Sequence, residues 1–232
     1  MSSTRNRRDS RWRSTRFGLA AIVAIAALGS LGAGSAAAAE PDPVLLVHGY
    51  RGSPSTWSDM IARFAAAGRT AVAIDLPSED NIVNANAIRD FIAARGWKRA
   101  DIVGQSMGGL SARQFIKFLK SSATIDSYVS LGTPQYGIQS ACLLPGWYGG
   151  QMCPTSTFLR DLNRRDDTPG KTAWTTIYST SDELVPNASS RLDGGACHVQ
   201  VSGVGHNDMD NDAGIFAHVL AAVDGTCTGT FK

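Results

Sequence analysis

The chain has 232 residues, 43% of them hydrophobic and 18% charged, which suits one well-cored domain and excludes disorder or a fibrous repeat. Formal net charge is +2, but six of the 22 basic residues are arginines within the first sixteen positions, leaving 16 basic against 19 acidic residues elsewhere. A mildly acidic body with no basic stripe excludes nucleic acid as a partner.

The chain opens on an arginine-rich stretch, Met1–Arg16, followed by the apolar run FGLAAIVAIAALGSL (Phe17–Leu31) and the small-residue run GAGSAAAA (Gly32–Ala39). A basic segment, an apolar segment and an Ala-Ala-Ala site together predict a secretory signal peptide over 1–39. An uncleaved membrane anchor is the alternative, but the Ala, Gly and Ser of the second half suit a peptidase better than lipid. Arg7-Arg8 raises twin-arginine export, although Asp9-Ser10-Arg11 follows where an apolar residue is wanted, so the choice of export route stays open. The expectation is a secreted, extracellular protein whose residues 40–232 form one domain.

Pro43–His48 (PVLLVH) is a short apolar run, as expected of a strand buried on both faces. Ser55–Ala67 places Trp57, Ile61 and Phe64 at helical spacing, with Gly68 as a stop. Thr70–Asp75 (TAVAID) reads as a strand, Asn81–Arg95 as a helix, Lys98–Gly104 as a strand and Met107–Leu119 as a helix. Ile125–Leu131, Ala173–Tyr178 and Cys197–Ser202 are three more strands, and Asp210–Val223 is a closing helix. Strands alternating with helices predict a doubly wound α/β fold with about six parallel strands. Only Thr133 to about Thr157 breaks the alternation; a Gly- and Pro-rich loop of that length is usually functional or disordered.

All four cysteines, Cys142, Cys153, Cys197 and Cys227, follow the leader. An even number in an exported chain points to disulfides, and no Cys-x-x-Cys spacing suggests a metal site. Three pairings are possible; Cys142–Cys153 and Cys197–Cys227 are favoured. The second has a geometric basis, because a strand starting at Cys197 and the helix returning from it have nearly equal lengths.

Chemistry centres on Ile102-Val103-Gly104-Gln105-Ser106-Met107-Gly108-Gly109, a strand ending in Gly-x-Ser-x-Gly directly before a helix. Such a turn lifts a serine hydroxyl above the sheet, with Gly104 and Gly108 small because backbones meet there. The helix N-terminus then sets the Met107 N–H beside any developing oxyanion. The serine still needs a base and an acid in the chain order Ser, Asp or Glu, His. Of the four histidines, His48 precedes the serine, His198 lies within a strand on its polar face, and His218 is mid-helix, structural or solvated. His206, in the loop Gly203-Val204-Gly205-His206-Asn207, is the base. Asp182, after the strand Ala173–Tyr178, is the acid, with adjacent Glu183 the runner-up. Asp161, Asp166 and Asp167 fall on a surface helix and its polar exit, and Asp193 on a turn. The second oxyanion donor is expected from Val47-His48-Gly49-Tyr50-Arg51-Gly52, at the Tyr50 N–H, with His48 pinning the loop. The side chains of Tyr50 and Met107 are expected to line the pocket.

LLVHGYRG, IVGQSMGG, LGTPQYG, IYSTSDELVP and SRLDGGACHVQVSGVGH together resemble the small secreted bacterial triacylglycerol lipases and esterases of the α/β-hydrolase superfamily. The resemblance runs in order from about Pro43 to Val223. It implies a minimal α/β-hydrolase, with a compact six-stranded sheet and helices on both faces. It also implies an extracellular acyl-ester hydrolase with no metal or organic cofactor. Residue by residue it assigns the nucleophile to Ser106, the acid to Asp182, the base to His206, and the oxyanion donors to Tyr50 and Met107. The expected partner is a lipid or other ester, met by a monomer in transient contact with a lipid–water interface. An acyltransferase or a polyester depolymerase with the same triad is the alternative; a non-enzymatic binding module would lack the triad. The segment 136–157 is longer here than in the smallest lidless members, and its apolar residues Leu143, Leu144, Trp147, Tyr148 and Met152 form either a satellite core or a rim over the acyl groove.

Overall fold

The computed structural model describes residues 41–119 and 124–231. The expected signal peptide therefore lies outside the described residues. Among the described residues seven strands form one sheet in the order β2-β1-β3-β4-β5-β6-β7. They are β1 (Val44–Val47), β2 (Ala71–Ile74), β3 (Arg99–Gln105), β4 (Thr124–Leu131), β5 (Ala173–Ser179), β6 (Cys197–Val201) and β7 (Thr230–Phe231). The first six are parallel, as expected, and each falls within a residue or two of its apolar run.

β1 shows why these runs become strands. Val44 and Leu46 face one layer while Leu45 and Val47 face the other, and all four are fully buried. A strand covered on both sides has no polar face to display, so its sequence is a continuous apolar run. On one side α1 (Ser58–Ala66) and α6 (Ala213–Val223, following the one-turn α5, Asn187–Ser190) bring Phe64, Ile215 and Val219 against the sheet. On the other, α2 (Asn81–Ala94) and α3 (Met107–Phe118) bring Ile88, Ile92 and Phe115. A third apolar cluster sits off the sheet, where Met107 and Leu110 of α3 meet Ala141, Met152, Phe158 and Leu162 of the following loop and of α4 (Thr157–Leu162).

The helix starts follow local chemistry. Asp80 caps α2, accepting from the N–H groups of Ile82 and Val83 at 2.8 and 3.1 Å. Asp212 caps α6 in the same way through Ile215 N–H, so the helix begins at Ala213 and not at Asp210 as its apolar stripe suggests. Pro54 opens a 3-10 turn over Pro54–Trp57, which shortens the first helix relative to its hydrophobic pattern.

Asp167 does not lie on the surface as expected. It is buried and accepts from Arg113 Nη2 at 2.6 Å and Tyr136 Oη at 2.9 Å. Arg113, on α3, is fully buried and also donates to Asn163 Oδ1. A guanidinium without water needs a carboxylate partner, and the chain beyond α4 curls back to supply one. Burial pulls the Arg113 pKa down against the pull of Asp167.

The seventh strand is the other departure. Cys197 and Cys227 are bonded with Cα atoms 5.8 Å apart, so α6 does return its end beside the start of β6. The tail is then held close enough for Thr230 and Phe231 to pair antiparallel with His198 and Cys197. Two residues carry no readable periodicity. Cys142–Cys153 closes the second pair. Replacing Cys197 and Cys227 together by alanine should cost about 3–4 kcal/mol of unfolding free energy on the chain-entropy model. Thr230 should lose amide-exchange protection while β3 and β4 keep theirs. Unchanged protection at Thr230 would contradict this reading of β7.

Candidate active site

The chain leaves β1 outward to β2 and then crosses to β3, so loops diverge between β1 and β3. Open α/β sheets place ligands at such a switch point, beyond the C-terminal ends of the strands. Ser106 stands there. It directly follows β3 and occupies the N-cap position of α3 with φ 52° and ψ −127°, a conformation that non-glycine residues avoid. Close backbone contact enforces it. A methyl group at Gly104 would lie 2.6 Å from Gly109 Cα, whereas one at Gly108 would strike the His48 carbonyl of the β1 loop at 2.3 Å. The small residue at 108 thus makes room for β1 and not for β3.

Asp182 and His206 arrive on the loops after β5 and β6. Asp182 Oδ2 lies 2.9 Å from His206 Nδ1, and His206 Nε2 lies 2.9 Å from Ser106 Oγ. An ionised carboxylate only accepts, so Nδ1 carries the ring proton and Nε2 accepts from the serine hydroxyl. The Asp182 side chain is fully buried. Burial pushes its carboxyl upward, but hydrogen bonds from His206 and the Val185 and Leu184 N–H groups, with the charge of His206, outweigh it. The net effect holds Asp182 below the ordinary aspartate value.

Glu183, the runner-up acid, does not touch the imidazole; its Oε2 accepts the backbone N–H of His206 at 3.1 Å. His48 pins its loop as expected, accepting Leu76 N–H on Nε2 at 3.2 Å and donating from Nδ1 to the Gly49 carbonyl at 3.0 Å. His198 is buried, with Nδ1 3.1 Å from Thr176 Oγ1. His218 pairs with Thr228 Oγ1.

Gly132, between β4 and the long loop, escaped the reading of the residues as a site position. Its φ is +54°, and a methyl group there would lie 2.9 Å from Asp182 Oδ2 and 3.2 Å from His206 Nδ1. The acid–base bond fits only because this position lacks a side chain. The signal was the LGTP string itself, whose role sequence alone does not reveal.

A cavity of about 240 Å³ opens on Ser106 and His206, lined by Tyr50, Ile138, Met152, Leu184 and Val185. Tyr50 lines it as expected. The Met107 side chain does not: it is fully buried in the third apolar cluster, and only its main chain lies next to Ser106. A larger groove of about 630 Å³ lies between Ile82, Phe118 and Phe158 and contains none of the Ser106–His206–Asp182 group. Met152 and Phe158 of the third cluster line the cavity and the groove respectively. Among the described residues no group of His, Cys, Asp and Glu is arranged to hold a metal.

Residues 44–191 match the alpha/beta hydrolase family. The chain belongs to that family. The matched span includes Ser106 and Asp182 and stops before His206. Among similar solved structures is mature Bacillus licheniformis lipase BlEst2, at 19% identity and TM-score 0.67, covering 80% of this chain and 93% of that one. Aspergillus fumigatus lipase B aligns at 19% identity and TM-score 0.68, covering 82% of this chain and 54% of that one. A candidate non-heme bromoperoxidase, BpoC from Mycobacterium tuberculosis H37Rv, aligns at 14% identity and TM-score 0.64, covering 79% and 92%. At these identities the likeness is one of fold.

Asp182 has a pH signature. A carboxyl held below its ordinary value in the folded state contributes stability that is complete above the unfolded pKa and is lost as pH falls through the folded one. In urea unfolding, the stability difference between the wild type and Asp182→Asn should therefore shrink as pH falls below about 4. A difference that widens in acid would contradict the assignment of the Asp182–His206 bond.

Proposed function

We propose that this protein is an extracellular serine carboxylester hydrolase, similar in activity to triacylglycerol lipases and esterases, that works through an acyl-enzyme. The observation carrying the proposal is the unbroken chain Asp182–His206–Ser106, with both links at 2.9 Å and the serine on a positive-φ elbow. Hydrogen-bonded acid, base and nucleophile in that order are what an alcohol needs to attack a carbonyl near neutral pH.

Ser106 Oγ attacks the ester carbonyl as His206 Nε2 takes its proton, and Asp182 stabilises the imidazolium. The oxyanion is held by the N–H groups of Met107, at the N-terminus of α3, and of Tyr50, in the loop that His48 fixes. His206 returns the proton to the leaving alcohol. Water then attacks the acyl carbon, giving its proton to His206, and Ser106 Oγ leaves and is reprotonated as the carboxylic acid departs. Every step uses side-chain and main-chain groups of the chain itself, so the reading needs no cofactor.

Export is supported by the leader and by two disulfides, which persist in oxidising compartments. No helix among the described residues is long and apolar enough to cross a membrane. The surface around the cavity favours an ester presented by a lipid. Leu143 and Trp147 are 90% and 68% exposed, and Leu184 at the cavity is 50% exposed. Trp147 packs on Tyr148, which packs edge-on against Tyr50 of the cavity wall. Clustered exposed apolar residues mark interaction sites, and tryptophan favours the boundary of water and lipid. Of the apolar residues of the insert, Met152 is buried at the cavity, Trp147 is exposed and linked to its wall through Tyr148, and Leu143 is exposed on the same segment.

Ser106→Ala should give a folded protein whose turnover of p-nitrophenyl butyrate falls by about 10⁶-fold, the scale of losing a triad nucleophile. Retained turnover would reject the mechanism. Trp147→Ala should lower hydrolysis of emulsified long-chain triacylglycerol several-fold more than that of soluble p-nitrophenyl acetate. An equal loss on both would make Trp147 a structural residue only.

A further inference from the structure

His206 sits on a segment with little of its own to hold it. Gly203, Val204 and Gly205 precede it, with Gly203 at φ 78°, and residues His206–Asp208 make a single 3-10 turn. Its ring is anchored by Asp182 and Ser106, and the second anchor cannot last through a turnover. Once Ser106 Oγ carries an acyl group it has no proton to donate, and Nε2 loses that partner. A catalytic group must keep its place to within about 0.5 Å to remain effective, so the acyl-enzyme stage needs another restraint.

Two side chains hold the main chain of His206 from opposite ends. Gln105 Nε2 donates to its carbonyl at 3.1 Å, and its own N–H donates to Glu183 Oε2 at 3.1 Å. Gln105 immediately precedes the nucleophile and Glu183 immediately follows the acid. Each ring partner therefore has a sequence neighbour that grips the base. Gln105 is buried, and its Oε1 lies against the loop carrying Tyr50, where a methyl group at Gly49 would come within 2.4 Å of it. It lines the catalytic cavity, yet its amide proton is committed to the His206 carbonyl.

We infer that Gln105 and Glu183 are positioning residues that clamp the His206 backbone, and that the clamp matters most after Ser106 has been acylated. The inference rests on the ester-hydrolase reading above. The affected step is the second half-reaction, in which His206 Nε2 takes a proton from water, the water oxygen bonds to the acyl carbon, and the bond from that carbon to Ser106 Oγ breaks. A base that wanders at this stage slows deacylation, whereas acylation starts from a ring still tethered to both partners.

Pre-steady-state release of p-nitrophenol from p-nitrophenyl butyrate separates the two halves. In Gln105→Leu and in Glu183→Leu the steady rate should fall about tenfold or more while the burst rate changes less than about threefold, giving a burst near one equivalent per active site. Glu183→Gln keeps an acceptor for the His206 N–H and should recover most of the rate lost in Glu183→Leu. Glu183 is exposed, so its variants test the clamp even if Gln105→Leu does not fold. Parallel loss in both phases, a change confined to KM, or no rescue by Glu183→Gln would overturn the clamp. A wild-type protein that releases no p-nitrophenol through Ser106 would overturn the hydrolase reading and the clamp with it.

Discussion

A serine hydroxyl has no useful nucleophilicity of its own, and in the proposed mechanism one hydrogen-bonded chain, Asp182–His206–Ser106, gives it some. That chain joins loops after β3, β5 and β6, so three segments far apart in sequence must end at fixed heights above one sheet. Parallel strands supply the heights, in continuous register from β4 to β6 and with one register shift between β3 and β4 at Ala100–Ile102. Backbone strain at Ser106 supplies the last adjustment, lifting the hydroxyl toward the ring. Contacts at Gly108 and Gly132 show how little space surrounds the arrangement. A side chain at either would displace the β1 loop or the acid–base pair.

The supports lie at different distances from this chain. Nearest are the main-chain contacts of Gln105 and Glu183 on the base and of Leu184 and Val185 on the acid. Farther out, the third apolar cluster seats the start of α3 against the long loop, so that Met152 becomes cavity wall while Cys142–Cys153 ties the loop to itself. Farther still, the buried pair of Arg113 and Asp167 joins α3 to the chain after α4. Gln135, just beyond β4, connects to the same group through Arg113 and Tyr128. These layers fix α3, the loop after β4 and the cavity wall relative to one another.

Much of this was legible in the residues. β1 announces itself because a strand covered on both faces is apolar throughout, the other parallel strands through shorter apolar runs, and the serine turn because its glycines are sterically required. Order along the chain then singles out His206 as the expected base, and its ring lies between Asp182 and Ser106. What could not be read depends on long-range packing. Asp167 follows a polar stretch and looks solvent-bound until Arg113, more than fifty positions earlier, is found beneath it. Thr230–Phe231 becomes a strand only because a disulfide returns the tail to β6. Met107 carries a side chain suited to a pocket, yet the helix turns it into the core. Gln105 and Glu183 occupy positions where sequence gives no hint of a shared contact, since their meeting point is the backbone of a third loop.

The central claim is that Ser106 alone, activated by His206, is the nucleophile. Mass mapping after inhibition with an alkyl p-nitrophenyl phosphonate tests it directly, because the reagent traps the attacking oxygen as a stable adduct. A single adduct is expected on the peptide containing Ser106, formed in step with loss of esterase activity and absent from His206→Ala under the same exposure. An adduct on another serine, or complete inhibition with Ser106 unmodified, would contradict it.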